Sequence, residues 1–288
     1  MRVHKFYELN WQYDQIFARA GIWTPELTEV SGGKTLRERG VTMVTPVYNN
    51  SEFEKARFRR KFDEICTWHG QDLDAVHHIF VDDGSPSPLV DMLDGWRRRA
   101  LNFNLTIYRI KRDIKWNTPG ALNLGMSQAP TDWRICWDSD CSMTRHDAKL
   151  FLDCDPDPKF YYGLSGIRFR KSQPPLWYYM THGCFLVTKE QFDKIHGFDE
   201  DFTGEYSGGY AHFDNHFQWK LGKALYPQLI PVDPQIVDDD RLTADNPGYN
   251  WENMKPNKRL FRGKQRGTIP ESADMIRFEW EKVFEWRR

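Results

Sequence analysis

The sequence predicts an α/β protein in which helices cover both faces of a mostly parallel β-sheet. Short β-rich runs alternate with helical patterns along the chain, and polar residues cluster where those runs end. The 288 residues can bury a large core, and no apolar run approaches the ~18 residues that a membrane span needs. The net charge of −1 argues against a protein dedicated to nucleic acid or to membrane surfaces.

Strands and helices are expected to alternate from residue 41 onwards. A helix capped by Ser51 follows the first strand, a helix over residues 89–96 follows the second, and a helix capped by Thr118, with Pro119 at its first position, follows the third. Four runs rich in β-branched or aromatic residues are predicted as the strands: 41–45, 78–81, 105–110 and 133–137. This order is typical of a parallel sheet.

Three regions are expected along the chain. Residues 1–39 are predicted to form an N-terminal extension, residues 40–235 the main domain, and residues 236–288 an irregular and helical C-terminal region that packs on it. The last segment is predicted as a helix with these apolar positions: Met275, Phe278, Trp280, Val283 and Phe284. Five cysteines without Cys-x-x-Cys spacing favour free thiols, and no secretory leader is evident, so we expect a cytoplasmic protein.

Acidic residues follow two of the predicted strands. Asp82 and Asp83 end the second, and Asp138 and Asp140 end the fourth. On an extended backbone, residues two apart share a face and lie roughly 6.5–7 Å apart, so one carboxylate can bind a divalent metal while the other contacts a different part of the same ligand. An isolated Asp-x-Asp is more often an acidic turn. Here the clusters converge at the carboxyl ends of parallel strands, where ligands bind, and this favours a site.

Five segments together resemble a known family. In chain order they are Val44-Thr45-Pro46-Val47-Tyr48-Asn49, Phe80-Val81-Asp82-Asp83-Gly84-Ser85, and the ranges 120–125, 183–188 and 197–202. Their order and spacing resemble a glycosyltransferase of the GT-A fold, which is Rossmann-like, similar to family 2 and its inverting relatives. The resemblance covers roughly residues 41–221 and extends more faintly to residue 266. It implies transfer of a sugar from a nucleotide-diphosphate sugar, with a UDP-sugar as the expected donor, and a Mn²⁺ or Mg²⁺ ion at the site.

The resemblance also implies roles on the donor side. Asp140 would be a metal ligand, and Asp138 would contact the metal or the ribose. Either Asp82 or Asp83 would hydrogen-bond the base edge. Asn123 would contact the nucleotide or serve a structural role in its helix. The residues implied for the base pocket are Pro46, Val47 and Tyr48.

On the acceptor side, the resemblance places the general base at Asp214. An inverting transfer needs such a group to take the proton of the acceptor hydroxyl. The family's neighbouring acids are replaced here by Phe213 and His216, so that His216 is either a metal or phosphate ligand or a structural histidine. The alternative for Asp214 is a helix N-cap. Lys264, in a basic run over residues 255–266, is either a cation that closes over the diphosphate or part of a solvated segment.

The acceptor is a glycan or a lipid-linked sugar by resemblance. An aromatic platform of Tyr161, Tyr162 and residues 176–182, together with the basic run, also permits a modified nucleic-acid base. Two other functions remain as alternatives: nucleotidyl transfer to a sugar phosphate, although Pro46-Val47-Tyr48-Asn49 lacks the glycine-rich basic run usual there, and a non-catalytic module that binds nucleotide sugars or glycans.

Overall fold

A computed structural model of the chain describes residues 33–68, 71–93, 103–139, 141–164, 166–170, 173–178, 183–230, 235–237 and 251–288. Most of the predicted N-terminal extension, and Asp140, lie outside these residues.

Twelve strands are found within the described residues. They are β1 (Val41–Val47), β2 (Val76–Asp82), β3 (Asn104–Ile110), β4 (Trp133–Cys136), β5 (Cys141–Ser142), β6 (Phe160–Leu164), β7 (Gly166–Arg170), β8 (Gln173–Tyr178), β9 (Phe185–Thr188), β10 (Tyr226–Ile230), β11 (Gln235–Val237) and β12 (Trp280–Trp286).

The α-helices of the described residues alternate with these strands. They are α1 (Leu36–Arg39), α2 (Glu52–Cys66), α3 (Gln71–Asp74), α4 (Thr118–Ser127), α5 (Arg145–Leu152), α6 (Lys189–Lys194), α7 (Gly204–Ser207), α8 (Phe213–Ala224) and α9 (Trp251–Gln265). Short 3₁₀ turns cover Leu89–Leu93 and Glu200–Phe202.

Eight strands form the central sheet in the order β10-β6-β9-β4-β1-β2-β3-β12. Strands β3, β2, β1 and β4 are parallel, β9 runs antiparallel to β4 and β6, and β12 runs antiparallel to β3. A second sheet has the order β5-β11-β7-β8. The predicted α/β class with a mostly parallel sheet is confirmed.

Apolar side chains fill both faces of the central sheet. On one face, Phe58 and Phe62 of α2 pack against Phe80 of β2. On the other, helix α4, buried from Pro119 to Met126, packs against Val44 of β1 at Gly125, and Phe217 of α8 belongs to the same cluster. Because strand side chains alternate between faces, this packing fixes which residues beyond the strand ends point to which side.

Of the two helix caps that the sequence predicts, Ser51 is confirmed, whereas Thr118 is wrong because it is the first residue of its helix and Pro119 the second. Ser51 caps α2 by accepting the backbone N–H of Glu54 at 3.3 Å, as predicted. Helix α4 begins at Thr118 with Asn117 at the N-cap position, and the Asn117 side chain makes no capping bond. That side chain is engaged elsewhere, with Asp83. The helix predicted over residues 89–96 is a 3₁₀ turn in its described part.

The predicted C-terminal helix is wrong, because residues 280–286 form β12 at the edge of the central sheet. Phe284 packs on the α2 face, whereas Trp280 packs on the α4 face, edge to face with Tyr108 at 5.5 Å. The C-terminal region therefore completes the sheet, and the exposed charges of Glu281 and Lys282 are typical of a protected edge strand. Among the described helices, none is long and apolar enough to cross a membrane.

Candidate active site

The carboxyl ends of β1, β2 and β4 meet at one edge of the sheet. The N–H of Asp83 donates to the carbonyl of Val47 at 2.9 Å, and the N–H of Trp137 donates to that of Val44 at 2.7 Å. The Val47 side chain itself is only 4% exposed and packs in the core beside α2. At this edge Val47 therefore contributes its backbone carbonyl, whereas Pro46 is half-buried.

The two consecutive acids after β2 have different environments. Asp82 is 1% exposed and accepts hydrogen bonds from the N–H groups of Ser85 and Leu89, both at 2.9 Å, and from Arg109 at 2.5 Å. Its carboxylate is used to close the turn after the strand. Of the two acids that the sequence offered for the base edge, the structure therefore favours Asp83.

Asp83 lies on the α4 side and is also buried, at 6% exposure. The Asn117 amide donates to its carboxyl at 3.1 Å. Burial raises the pKa of Asp83 to about 7; the Asn117 hydrogen bond opposes this rise, and the nearby charges of Asp82 and Asp113 add to it. The carboxyl group therefore changes charge near neutral pH.

Tyr48 lies beside this group and directs its hydroxyl away from the core. It donates to a carboxylate oxygen of Asp113 at 2.9 Å. Burial, followed by this hydrogen bond, raises the pKa of Tyr48 to about 12, so the phenol remains a donor. Tyr48, Asp83, Asp113 and Asn117 thus form a polar group at the end of β1 and β2.

Asp138 follows β4 and is half-buried. Gly183 lies directly against it: a Cβ atom at Gly183 would be 2.3 Å from Oδ2 of Asp138, and Gly183 has a left-handed φ of +84°. Only glycine satisfies both the backbone conformation and this approach. The N–H of Cys141 donates to the Asp138 carbonyl at 3.1 Å, which closes the acidic turn. Asp140 lies outside the described residues, so its predicted metal contact stays a prediction.

Asp214 lies in the first turn of α8 and is half-buried. The N-cap position is occupied by His212, two residues earlier, so the alternative of Asp214 as a helix N-cap is wrong. A carboxylate in the first turn is stabilised by the positive end of the helix dipole. Its predicted role as the base remains open to test.

His216 lies two residues after Asp214 in the same helix and is fully buried. Its Nε2 is 3.1 Å from Oε1 of Glu271, and ligand atoms of Asp199, His216 and Glu271 all lie within 4.8 Å of one another. Within the described residues this is the group with metal-ligand spacing, and Asp138 is not part of it. The ammonium of Lys264 pairs with Asp199 at 2.6 Å, and His216 contacts Glu271 through Nε2, so the structure favours the structural alternative for His216.

Lys264 is similarly engaged inside the protein. Its side chain is fully buried and pairs with Asp199 at 2.6 Å and Asp201 at 2.8 Å, and it donates to the Pro270 carbonyl at 2.7 Å. Burial alone lowers the pKa of Lys264, but the hydrogen bonds of the two carboxylates outweigh it and raise the pKa above its ordinary value. Both expectations for Lys264 are therefore corrected: the side chain is buried rather than solvated, and its ammonium pairs with two acids of its own chain instead of being free to bind a diphosphate.

Asn123 is also committed to the protein. Its amide donates to the carbonyl of Phe198 at 2.9 Å and to Glu200 at 2.8 Å, and it accepts the N–H of Phe198 at 2.7 Å. Because the side chain is fully buried, the structural role is the one that the structure favours. Tyr161 and Tyr162 are each 1% exposed and belong to the core rather than to a platform; the side chains of residues 176–182 lie outside the described set.

Sequence reasoning missed a group of residues that joins the two sides of the site. Trp116 has a left-handed φ of +53° and stacks on Tyr210 with ring centroids 5.1 Å apart. Thr203 donates to the Asn117 side chain at 3.4 Å. The one sequence signal for these residues is their position just before α4, α7 and α8, because the contacts are formed only by the tertiary fold.

Comparison with known families gives the identity. The sequence model of the family described as Glycosyl transferase family 2 matches residues 42–208, which is more than half of the chain. The chain belongs to glycosyl transferase family 2. It is accordingly a glycosyltransferase, and the predicted resemblance is confirmed. No curated protein matches the chain.

Solved structures similar to this family 2 chain share its fold at low sequence identity. The mannosyltransferase PcManGT from Pyrobaculum calidifontis, in complex with GDP-Man and Mn²⁺, has a TM-score of 0.56 at 14% identity, over 92% of this chain and 73% of that one. TarS from S. aureus in complex with UDP has a TM-score of 0.52 at 13% identity, over 69% and 60% of the two chains. GalNAc-T7 with UDP, GalNAc and Mn²⁺ has a TM-score of 0.52 at 11% identity, over 69% and 44%. The GT-A fold is thereby confirmed.

Proposed function

We propose that this glycosyltransferase uses a divalent metal ion and moves a sugar from a UDP-sugar to an acceptor hydroxyl with inversion at the anomeric carbon. The observation that carries the proposal is the meeting of the ends of β1, β2 and β4, which brings Asp83 and Asp138 to one edge of the sheet in a family 2 chain. Such an edge is where open α/β sheets bind their ligands.

On the donor side, the polar group around Asp83 binds the base. An ionised Asp83 accepts the imino N–H of uracil, and Tyr48 and Pro46 flank the ring. Two of the three similar structures carry UDP and one carries GDP-Man, which supports a nucleotide diphosphate and makes the base the first property to test. Because Asp83 ionises near pH 7, donor affinity is expected to rise from acidic to mildly alkaline pH.

The metal site proposed for this chain is formed by Asp138 and Asp140. The half-buried carboxylate of Asp138 is an oxygen ligand of the kind that Mg²⁺ and Mn²⁺ prefer. It lies so close to Gly183 that a side chain at position 183 would clash with it. A bound ion would supply positive charge to the leaving diphosphate. His216 is not included, because its Nε2 faces Glu271. Two similar structures contain Mn²⁺, which supports a metal requirement.

Asp214 acts as the general base in this proposal. Its carboxylate takes the proton of the acceptor hydroxyl while the hydroxyl oxygen bonds to the anomeric carbon and the bond to the nucleotide diphosphate breaks. The proton thus moves to Asp214 and the bonding pair of the sugar–phosphate bond leaves with the diphosphate. A glycan or lipid-linked hydroxyl is the proposed acceptor. The cysteine pattern supports a cytoplasmic location.

The decisive experiment is a donor screen with UDP- and GDP-sugars in the presence of Mn²⁺ or Mg²⁺, with release of the nucleoside diphosphate as the readout. Turnover of at least one donor is expected. Asp214→Asn should keep donor affinity within about 2-fold and lower kcat by roughly 10²- to 10⁴-fold, as expected for loss of a general base. Unchanged kcat would eliminate Asp214 as the base.

The same screen separates the alternatives when it is extended to nucleoside triphosphates with sugar phosphates and to nucleic acids. A nucleotidyltransferase would release inorganic diphosphate from a nucleoside triphosphate, and a binding module would bind a nucleotide sugar without turnover. A nucleic-acid acceptor would show binding that weakens steeply with salt. Binding and turnover of none of the donors would refute the proposed function.

A further inference from the structure

The turn before α8 has an unusual backbone. Gly208, Ala211 and His212 have left-handed φ angles of +71°, +66° and +63°. Glycine adopts this conformation freely, but two successive residues with side chains do so at a cost in free energy. Such strain persists only where the surroundings hold the backbone in place, and it is often found at functional sites. Asp214 follows this strained turn after a single residue.

Helix α9 supplies the contacts that hold the turn. The fully buried amide of Asn257 donates one hydrogen to the Ala211 carbonyl at 2.8 Å and the other to the Phe202 carbonyl at 2.9 Å. The N–H of Tyr210 donates to the carbonyl of Asn253, one turn earlier on α9, at 3.1 Å. Helix α9 therefore both donates a hydrogen bond to the backbone of the turn, at the Ala211 carbonyl, and accepts one from it, from the Tyr210 N–H.

The turn packs so closely against α9 that there is no room for a side chain at Gly209. A Cβ atom at Gly209 would lie 2.9 Å from the Asn253 carbonyl oxygen and 3.0 Å from Oδ1 of Asn257. The side chain of Asn257 can satisfy two carbonyls only because an amide carries two N–H hydrogens. Hydroxyl and aliphatic side chains of this size lack the second donor. The contacts thus depend on the residue type at position 257.

We propose that Asn257 is a positioning residue for sugar transfer, which fixes the turn over residues 208–212 and thereby the direction of Asp214. This inference rests on the proposed role of Asp214. It adds a residue of helix α9, which lies beyond the matched family region of residues 42–208. The hydrogen bonds of Asn257 go to Phe202 and Ala211, and neither residue belongs to the donor-binding edge, whose residues precede position 184.

The strain at Ala211 gives the proposal a specific test. Loss of the Asn257 amide removes a hydrogen bond that keeps Ala211 left-handed, so the turn can relax and carry Asp214 away from the acceptor. A displacement of about 1 Å at a reacting group costs on the order of 10²-fold in rate. Glycine at position 211 adopts the left-handed conformation without help. A second substitution, Ala211→Gly, should therefore restore part of the rate lost in Asn257→Ala.

The experiment compares wild type, Asn257→Ala, the double variant Asn257→Ala with Ala211→Gly, and the control Lys255→Ala. Lys255 lies on the same helix, is half-exposed and pairs with Glu252. We expect Asn257→Ala to lower kcat by roughly 10- to 100-fold, with donor Kd within about 2-fold of wild type. The double variant should recover at least about a third of the loss on a logarithmic scale, and the control should match wild type.

Hydrogen–deuterium exchange of the peptide spanning residues 208–216 supplies a readout independent of activity. Faster exchange of this peptide in Asn257→Ala supports the proposal if exchange elsewhere in the chain is unchanged and if the double variant reverses the effect. Exchange at the wild-type rate, or a kcat loss that Ala211→Gly leaves untouched, overturns it. If wild type turns over no donor, the proposed function has failed, and the exchange of this peptide still decides whether Asn257 fixes the turn.

Discussion

Replacement of Asp83 by asparagine tests the buried acid at the end of β2. The folded protein holds this carboxyl with a pKa raised from 3.8 to about 7, so between these values the folded state binds a proton that the unfolded state has lost. Stability from this group is therefore complete below about pH 4 and falls as the pH rises towards 7. At about 1.4 kcal/mol per pH unit, the whole loss is about 4 kcal/mol above pH ~7.

Asp83→Asn removes the ionisation but keeps an oxygen that accepts from Asn117. Relative to wild type, the variant should gain stability as the pH rises, from a baseline near pH 4 to a gain of about 2–4 kcal/mol near pH 8. Urea unfolding at a series of pH values, followed by circular dichroism, measures this difference. Asp82→Asn is the matched control: Asp82 accepts from Arg109, so that change should lower stability. A pH-independent difference between Asp83→Asn and wild type would refute the assigned pKa.

Three further predictions concern the rest of the site. Gly183→Ala should lower metal-dependent turnover by more than about 10-fold, because its Cβ would lie 2.3 Å from Asp138; Gly267→Ala, also left-handed but in open space and outside the turn before Asp214, is the control, and equal losses in both would exclude the contact as the cause. Lys264→Met should destabilise the fold by about 3–5 kcal/mol by leaving the buried carboxylate of Asp199 without its cation, whereas Lys255→Met should change it by less than about 0.5 kcal/mol; thermal unfolding distinguishes them. A chelator should abolish transfer and added Mn²⁺ or Mg²⁺ should restore it, and full activity after chelation would contradict the metal site.

The parts of the fold that the sequence predicts are those encoded by local periodicity. Strands β1 to β4 and helix α2 are found where alternation, helical spacing and the Ser51 cap placed them. Their order limits the sheet topology, because right-handed connections leave few arrangements. That the acidic ends of these strands meet at one edge of the sheet then follows from the fold class alone. The apolar residues of β12 have helical spacing because a register shift between Lys282 and Phe284 interrupts the alternation of the strand, which leaves Trp280, Val283 and Phe284 as its half-buried positions.

Side-chain roles were harder to predict, since they depend on partners distant in sequence. Strand alternation places Asp82 and Asp83 on opposite faces, but Arg109 and Asn117 decide which carboxylate is consumed by the fold. In the basic run, Lys264 is buried because Asp199 lies opposite it. A run of cations in a sequence predicts a solvated surface. No local pattern indicates that one of these cations pairs with an acid far away in the sequence.

Helical spacing within α9 shows how such a run divides. Asn257, Phe261 and Lys264 follow one another at intervals of four and three residues and therefore share one face of the helix. Asn257 and Lys264 are buried, and Phe261 contacts the rings of His212 and His216. This face meets the strained turn, the start of α8 and the acids after α6.

The two sides of the site are consequently held by different physics. On the donor side, Asp83 and Asp138 follow strands whose register is set by pairing with β1, without contacts from α9 in that pairing. On the base side, Asp214 lies in the first turn of a helix, and the turn before that helix is held by hydrogen bonds to α9. The donor-binding edge should then tolerate changes in α9 that disable transfer. Donor affinity and kcat are expected to separate in variants of α9, which is the behaviour that distinguishes positioning of the base from a general loss of folding.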